Sequence, residues 1–237
     1  MKVVVTGLRG FPNMQGGVET HCEELYPRLA ALGCDVTVIR RKPFVREIPP
    51  LTSCRGVKFR DLSTTRRMGA EALLHTFRSV WYAFRHRADI LHIHAVGPSV
   101  AVPFAKILGL KVVVTHHGPD YNRRKWGRFA RFVLKAGEYF AARWADEIIV
   151  ISTVIRDLLR EKYRRERTHL IYNGVNRLVR AESTVFIRSL GLAPGKYLLA
   201  VGRFVEEKNF DLLIRACAEA DGLAAYTLVI AGDADHP

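Results

Sequence analysis

The sequence lacks the features that carry a chain out of the cell or through a bilayer. No apolar run approaches the roughly 18 residues that a spanning helix needs. The amino-terminal Met1-Lys2-Val3-Val4-Val5-Thr6 is too short an apolar stretch for a secretory leader, so a cytoplasmic protein is expected. Cysteine is sparse, and Cys22, Cys34, Cys54 and Cys217 form no C-x-x-C pair. That removes the usual signature of a zinc or dithiol redox site and fits free thiols in a reducing compartment. There is no internal repeat, no low-complexity segment and no G-x-G-x-x-G, so a nicotinamide cofactor loses its main support. Acidic residues are few beside basic ones, 23 against 37, for a net charge of +14. Such a surface favours an anionic partner: nucleic acid, a phosphorylated metabolite or an acidic membrane. With 49% hydrophobic and 25% charged residues, the composition is that of a globular protein and excludes disorder.

A length of 237 residues corresponds to one and a half domains at about 150 residues each. Apolar, β-branched runs occur at Lys2–Thr6, Asp35–Ile39, Asp89–Ile93, Lys111–Thr115, Glu147–Ile151 and His169–Tyr172. Several are near-continuous Val, Ile and Leu, as in strands buried on both faces. Between the first two, Val18, Cys22, Leu25, Leu29 and Leu32 fall on one helical face. Gly33 follows as a C-cap, and Pro27 lies inside the helix, where a kink is expected. Alternating strands and helices predict an α/β fold with a doubly wound parallel sheet. The pattern pauses between 174 and 195. It resumes as one βαβ unit: strand Tyr197–Val201, helix Asn209–Ala220, strand Tyr226–Ala231. The expected division is therefore a first domain over 1–173, a linker over 174–195 and the start of a second domain over 196–237.

Several segments carry candidate chemistry. Gly7-Leu8-Arg9-Gly10 and then Gly16-Gly17 separate the first strand from its helix. Glycines at a helix N-terminus let a phosphate approach backbone N–H groups; a flexible glycine turn accounts for the spacing equally well. His116-His117-Gly118-Pro119-Asp120 follows one strand, and His92 and His94 end another. Ligands in such sheets sit past the carboxyl ends of strands, and His92 reads as a hydrogen-bonded structural residue. No carboxylate or cysteine stands at a metal-ligand spacing from these histidines. Arg203 and Lys208 flank a loop that opens a helix, an arrangement suited to a diphosphate, with Glu206 and Glu207 between them as competing partners. Asn122–Trp144 reads as one long helix with Phe129, Phe132, Val133, Ala136, Phe140 and Trp144 on its apolar face and Arg124, Arg128, Arg131 and Lys135 nearly opposite. A core face backed by a solvated face explains this pattern; a one-sign stripe also suits anionic lipid headgroups. The interleaved aromatic and basic signature of a nucleic-acid platform is missing, which places nucleic acid below a membrane surface or a phosphorylated substrate.

The ordered set of these motifs resembles glycosyltransferase family four: Gly7-Leu8-Arg9-Gly10-Phe11-Pro12 with Gly16-Gly17-Val18-Glu19-Thr20, then His92-Ile93-His94, Thr115-His116-His117-Gly118-Pro119-Asp120, Asn173-Gly174-Val175, and Gly202-Arg203 with Lys208-Asn209. The resemblance spans essentially the whole chain. It implies a GT-B fold of two Rossmann-like domains facing a cleft, and retaining transfer of a sugar from a nucleotide-sugar donor to a glycan or lipid-linked acceptor, in cell-surface polysaccharide synthesis. It also implies no metal and no cofactor; the stripe of Arg124, Arg128, Arg131 and Lys135 adds the expectation of a peripheral place on the inner face of the plasma membrane. Carried over by position, Gly16 and Gly17 would approach the donor phosphates, and Arg203 and Lys208 would hold the diphosphate. His117 would act at the reacting centre. Glu19, His94, His116 and Asp120 would line the sugar or acceptor side, and Asn173 would sit at the crossing between domains. The family's pair of glutamates eight residues apart does not follow Lys208, where Glu219 is the only glutamate. The second domain is thus expected to be incomplete, and a non-catalytic module that binds acceptor or membrane is the alternative reading.

Overall fold

The structure is a computed structural model describing residues 1–45, 47–64, 70–122, 126–177 and 183–233. The chain divides into two compact units, Met1–Val175 and Asn176–Pro237. In chain order the first unit contains β1 (Lys2–Thr6), α1 (Gly17–Ala31), β2 (Asp35–Arg41), β3 (Ser53–Cys54), β4 (Val57–Leu62), α2 (Ala70–Arg85), β5 (Ile90–His94), α3 (Val102–Ile107), β6 (Val112–His116), α4 (Arg128–Trp144), β7 (Glu147–Val150), α5 (Thr153–Tyr163) and β8 (His169–Leu170). The strands form one sheet in the order β3-β4-β2-β1-β5-β6-β7-β8. Every pairing is parallel except β3 with β4. The chain runs outward from β1 in one direction to β2 and β4, then returns to β5 and continues the other way. The order therefore reverses between β1 and β5, and a doubly wound sheet binds its ligands outside the carboxyl ends at this point.

Alternation along the central strands sorts the core onto two faces. Val3, Val5, Val36 and Val38 pack with Leu8, Phe11 and the α1 residues Cys22 and Tyr26. Val4, Ile39, Leu91, Ile93, Val112, Val114, Ile148 and Val150 pack on the other face against α2, α3, α4 and α5. The second unit contains α6 (Val185–Ser189), β9 (Tyr197–Val201), α7 (Phe210–Glu219) and β10 (Thr227–Ala231), with β9 and β10 parallel. Its apolar side chains Leu199, Val201, Leu212 and Ile214 stand exposed.

The structure differs from the sequence reading in three places. β4 is absent from that reading, which takes the stretch between Ile39 and Asp89 as helical without delimiting α2. Val57-Lys58-Phe59-Arg60-Asp61-Leu62 alternates rather than running continuously, because this strand lies near the edge of the sheet and is only partly buried. In α2 the apolar signal is split between a core row containing Val80 and Ala83 and an exposed row of Leu74, Phe77, Trp81 and Phe84. The third difference concerns α4. It begins at Arg128 rather than Asn122, after an extended Gly127, with a short 3-10 turn at Asp120–Asn122 upstream. Its buried face is Leu134, Gly137, Glu138, Ala141 and Ala142, not the expected aromatic row. The reason is close packing: a Cβ on Gly137 would lie 2.0 Å from the Val96 carbonyl oxygen. Small residues face the sheet, so Phe129 and Phe132 point outward at 76% and 70% exposure.

Glu138 is the exception on that small-residue face, a fully buried carboxylate. It accepts hydrogen bonds from His116 Nε2 at 3.1 Å, Tyr121 Oη at 3.1 Å, Lys162 Nζ at 2.8 Å and Tyr163 Oη at 2.6 Å, tying β6, α4 and α5 together. Burial alone would raise its pKa, but the bonds from His116, Lys162 and Tyr163 outweigh burial and bring it down to about 2. Because the folded value lies below the ordinary 4.5, the stabilisation is full above that pH and is lost as pH falls towards about 2. Glu138→Gln is expected to lower unfolding free energy by about 2–3 kcal/mol, the scale of hydrogen bonds to a charged group, in urea titrations of the full chain at neutral pH. Its stability is also expected to fall less than that of the unsubstituted chain across the acid window.

Candidate functional site

The reversal of strand order places three segments at one edge of the sheet: the loop after β1, the end of β5 and the residues after β6. Gly7 leaves β1 with φ of +101°, and a Cβ there would lie 2.2 Å from the His94 carbonyl oxygen. Glycine is therefore required for the loop to close on β5. The loop is held from below by Arg40, which is 1% exposed. Arg40 donates from Nε and Nη2 to the Asp61 carboxylate at 2.7 and 3.0 Å and from Nη2 to the Leu51 carbonyl at 2.9 Å. Its guanidinium lies 4.4 Å from the centre of the Phe59 ring. A buried guanidinium is tolerated when both its charge and its donors are satisfied in this way.

The loop ends at Gly16, with φ of +153°, and α1 begins at Gly17. A Cβ on Gly16 would lie 2.0 Å from Glu19 Oε2, whereas one on Gly17 would meet nothing within 4 Å. Gly16 is thus needed for the turn, and Gly17 leaves the first turn of α1 open. Glu19 is only 7% exposed. Its Oε1 accepts from the Arg9 backbone N–H at 3.2 Å and from Arg9 Nε at 3.0 Å, while Arg9 Nη2 donates to the Gln15 carbonyl. Glu19 therefore braces the loop as well as lining it.

His94 and His117 meet at the same edge. His94 Nδ1 lies 2.9 Å from His117 Nε2. The His21 ring, from the first turns of α1, packs edge-on against both, with centroids 5.8 Å from His94 and 5.4 Å from His117. Beneath them Tyr26 Oη bridges His94 Nε2 and His92 Nδ1, and His92 Nε2 reaches Thr115 Oγ1. Burial, then the neighbouring imidazoles His21 and His116, hold the His117 pKa down to about 4. His117 is therefore a neutral imidazole at physiological pH, only partly covered, at the mouth of the site.

The other expected residues are placed differently. The His116 ring points under α4: Nε2 donates to Glu138, and Nδ1 accepts from the Gly118 backbone N–H at 3.1 Å. Both nitrogens are committed, so His116 shapes the turn that presents His117. Asp120 opens the 3-10 turn. Asn173 is exposed beyond β8. Arg203 and Lys208 belong to the second unit, both exposed in the loop between β9 and α7. Of the basic row, Arg128, Arg131 and Lys135 are exposed on α4, and Arg124 lies outside the described residues. Among the described residues, no helix is long and apolar enough to cross a membrane.

Sequence reasoning missed His21 and Tyr26 because α1 was read only for its apolar stripe; Tyr26 stands four residues after Cys22, on the buried flank of that stripe. It also missed a polar cluster on the α2 side of the sheet. There Arg41 Nε and Glu71 Oε1 are buried without a hydrogen-bond partner among the described residues, and Arg41 Nη1 lies 3.8 Å from Glu71 Oε1. His75, fully buried near this pair, is held down to about 4 by burial and by the charge of Arg41. Buried polar atoms left in this state are met by water or by a ligand.

Known proteins share this architecture. The chain is 24% identical over 215 residues to an uncharacterized glycosyltransferase of Methanocaldococcus jannaschii, a match covering 87% of this chain and 54% of that protein. Among solved structures, Anabaena HepE in complex with UDP and glucose matches with a TM-score of 0.71 at 17% identity, over 98% of this chain and 61% of HepE. Sucrose-phosphate synthase of Thermosynechococcus elongatus matches with a TM-score of 0.75 at 18% identity, over 97% of this chain and 61% of that one. The chain thus spans between half and two thirds of the length of these relatives, and the solved structures establish that it has the Rossmann-like architecture of GT-B glycosyltransferases. The sequence model of Glycosyltransferase Family 4 matches residues 15–177, well over half of the chain, and the protein belongs to that family.

Proposed function

We propose that the protein is a retaining glycosyltransferase that moves a sugar from a nucleotide-sugar donor to a glycan or lipid-linked acceptor in cell-surface polysaccharide synthesis. The observation that carries this reading is the meeting of Gly7, His94 and His117 at the carboxyl edge where strand order reverses, with His21 of the helix that Gly16 and Gly17 open packed against both histidines. The open first turn of α1 suits an anionic phosphate. The neutral His117 suits hydrogen bonding to sugar hydroxyls. The buried Arg41–Glu71 pair, with Arg41 Nε and Glu71 Oε1 making no hydrogen bond among the described residues, suits a hydroxyl-rich acceptor. The UDP and glucose held by HepE support a nucleoside diphosphate donor. In this reading Arg203 and Lys208 bind the diphosphate and neutralise the charge that develops as it leaves.

The exposed face of α4 supports work at a membrane. Phe129, Phe132 and Tyr139 interleave there with Arg128, Arg131, Lys135 and Arg143. That is the pattern of a helix lying in a lipid interface, with rings entering the acyl boundary and cations on the phosphates. We assign this face to the anionic inner surface of the plasma membrane, where a lipid-linked acceptor would be presented.

For the intact protein, Arg203→Ala is expected to lower transfer from nucleotide sugars by about 10²–10³-fold, the scale of losing one charge-stabilising donor. Unchanged turnover in a radiolabelled-sugar assay would remove Arg203 from the donor site. In vesicle sedimentation the protein is expected to bind liposomes containing anionic lipid, to release them at high salt and to ignore neutral ones. Phe129→Ser with Phe132→Ser is expected to weaken that binding without changing the folded circular dichroism. Equal sedimentation with neutral and anionic vesicles would leave α4 an ordinary solvated face.

A further inference from the structure

Beneath His117 lies a chain of buried hydrogen bonds that the sugar-transfer reading does not use. Thr115 Oγ1 is 2.8 Å from His92 Nε2, and His92 Nδ1 is 2.9 Å from Tyr26 Oη. Tyr26 Oη also meets His94 Nε2, and His94 Nδ1 is 2.9 Å from His117 Nε2. Thr115, Tyr26, His92 and His94 are all buried, the least covered being His92 at 6%. The members come from three separate elements: Tyr26 from α1, His92 and His94 from β5, and Thr115 from β6.

Two proton arrangements run in one direction along the whole chain; a third, with Tyr26 Oη accepting from both His92 Nδ1–H and His94 Nε2–H, leaves the buried Tyr26 O–H without an acceptor. A neutral imidazole carries one N–H and one lone pair, and a phenol has one O–H to give. When Tyr26 donates to one histidine and accepts from the other, one oriented link fixes every other. In the first arrangement His117 donates from Nε2 to His94, the order runs inward, and Thr115 accepts at the far end. The Thr115 hydroxyl hydrogen then needs a further acceptor, and no such bond is present among the described residues. In the second, Thr115 donates to His92 Nε2, His92 Nδ1–H to Tyr26, Tyr26 O–H to His94 Nε2, and His94 Nδ1–H to His117 Nε2. Every buried donor then has an acceptor, and an unsatisfied buried donor costs more than a satisfied one returns.

We propose that this chain runs outward from Thr115 and fixes His117 as the Nδ1–H tautomer, which makes Thr115, Tyr26 and His94 positioning residues for His117. His117 then turns a hydrogen-bond donor, not a lone pair, towards the ligand. Its Nδ1 has no protein partner among the described residues. Free imidazole prefers the opposite tautomer, so the preference has to be imposed by the interior. One proton per ring requires neutral rings. Burial first, and then the neighbouring imidazoles, hold His92 down to about 3 and His94 well below its ordinary value. The importance of the tautomer for transfer rests on the assignment of His117 to the reacting centre; the tautomer itself does not.

The test is long-range ¹H–¹⁵N NMR of the full chain labelled at histidine ring nitrogens, with Thr115→Val, Thr115→Ser and Tyr26→Phe as variants. In the unsubstituted protein His117 is expected to show a protonated Nδ1 and an unprotonated Nε2. Thr115→Val leaves His92 Nε2 unpaired in either order and removes the hydroxyl that favours the outward one; the preference of free imidazole for Nε2–H, summed over three rings, then decides, and the His117 proton is expected to move to Nε2, while Thr115→Ser retains the original pattern. Tyr26→Phe leaves His94 Nε2 unpaired in either order and frees His94 and His117 from the inner part of the chain, so the same imidazole preference is expected to give the same reversal, which keeps the test decisive if one variant folds poorly. In the transfer assay Thr115→Val is expected to lower kcat at least tenfold with little change in KM, with recovery in Thr115→Ser. A protonated Nε2 on His117 in the unsubstituted protein, or a pattern unchanged in both chain-breaking variants, would overturn the proposal. The expected tautomers with no transfer activity would instead count against the assignment of His117 to the reacting centre.

Discussion

The hydrogen-bonded chain from Thr115 to His117 is the interaction on which the rest of the carboxyl edge depends. It ties α1, β5 and β6 together through side chains that are expensive to bury singly and become acceptable only as a fully partnered set. Because the chain spans three elements, the same bonds bring Tyr26, His94 and His117 to one edge, where His21 packs against both histidines. A site built this way is held by the scaffold and does not need a ligand to assemble it.

Two buried ionic anchors serve the same edge from either face. Arg40 sits on the α1 face, satisfied by Asp61 and the Leu51 carbonyl, and fills the space beneath Gly10, where a Cβ would come within 3.1 Å of its side chain. Glu138 sits on the other face and holds His116, the residue immediately before His117. Neither anchor touches the mouth of the site, yet one supports the β1 loop and the other the β6 turn. Removing one partner from a buried set of this kind leaves an uncompensated charge, so their effect on the site is indirect and large.

The sequence revealed most where burial is symmetrical. Val3-Val4-Val5 and Val112-Val113-Val114 lie in central strands, and their unbroken apolar character marks them as such. β4, near the edge of the sheet, alternates and was passed over. The loop motifs were legible because glycine at positions 7 and 16 answers a steric demand that no other residue meets. The orientation of α4 was not legible. The large aromatics suggested a core face, but the contact with the Val96 carbonyl admits only glycine at 137, which turns Phe129 and Phe132 outward. Nor does a sequence show that His116 points inward while its neighbour His117 points to the mouth. That depends on Glu138, twenty-two positions away. Tyr26 carries no signal of its own in the sequence, and its hydroxyl acquires meaning only once β5 brings two histidines to it.

The central claim is that the edge formed by the β1 loop, His94 and His117 is where a nucleotide-sugar ligand is handled. The most direct measurement is an amide chemical-shift map of the ¹⁵N-labelled chain during titration with a panel of nucleoside diphosphate sugars. Saturable shifts concentrated at Gly16, Gly17, His94 and His117 are expected. Saturable binding that leaves these four amides unmoved would contradict the claim.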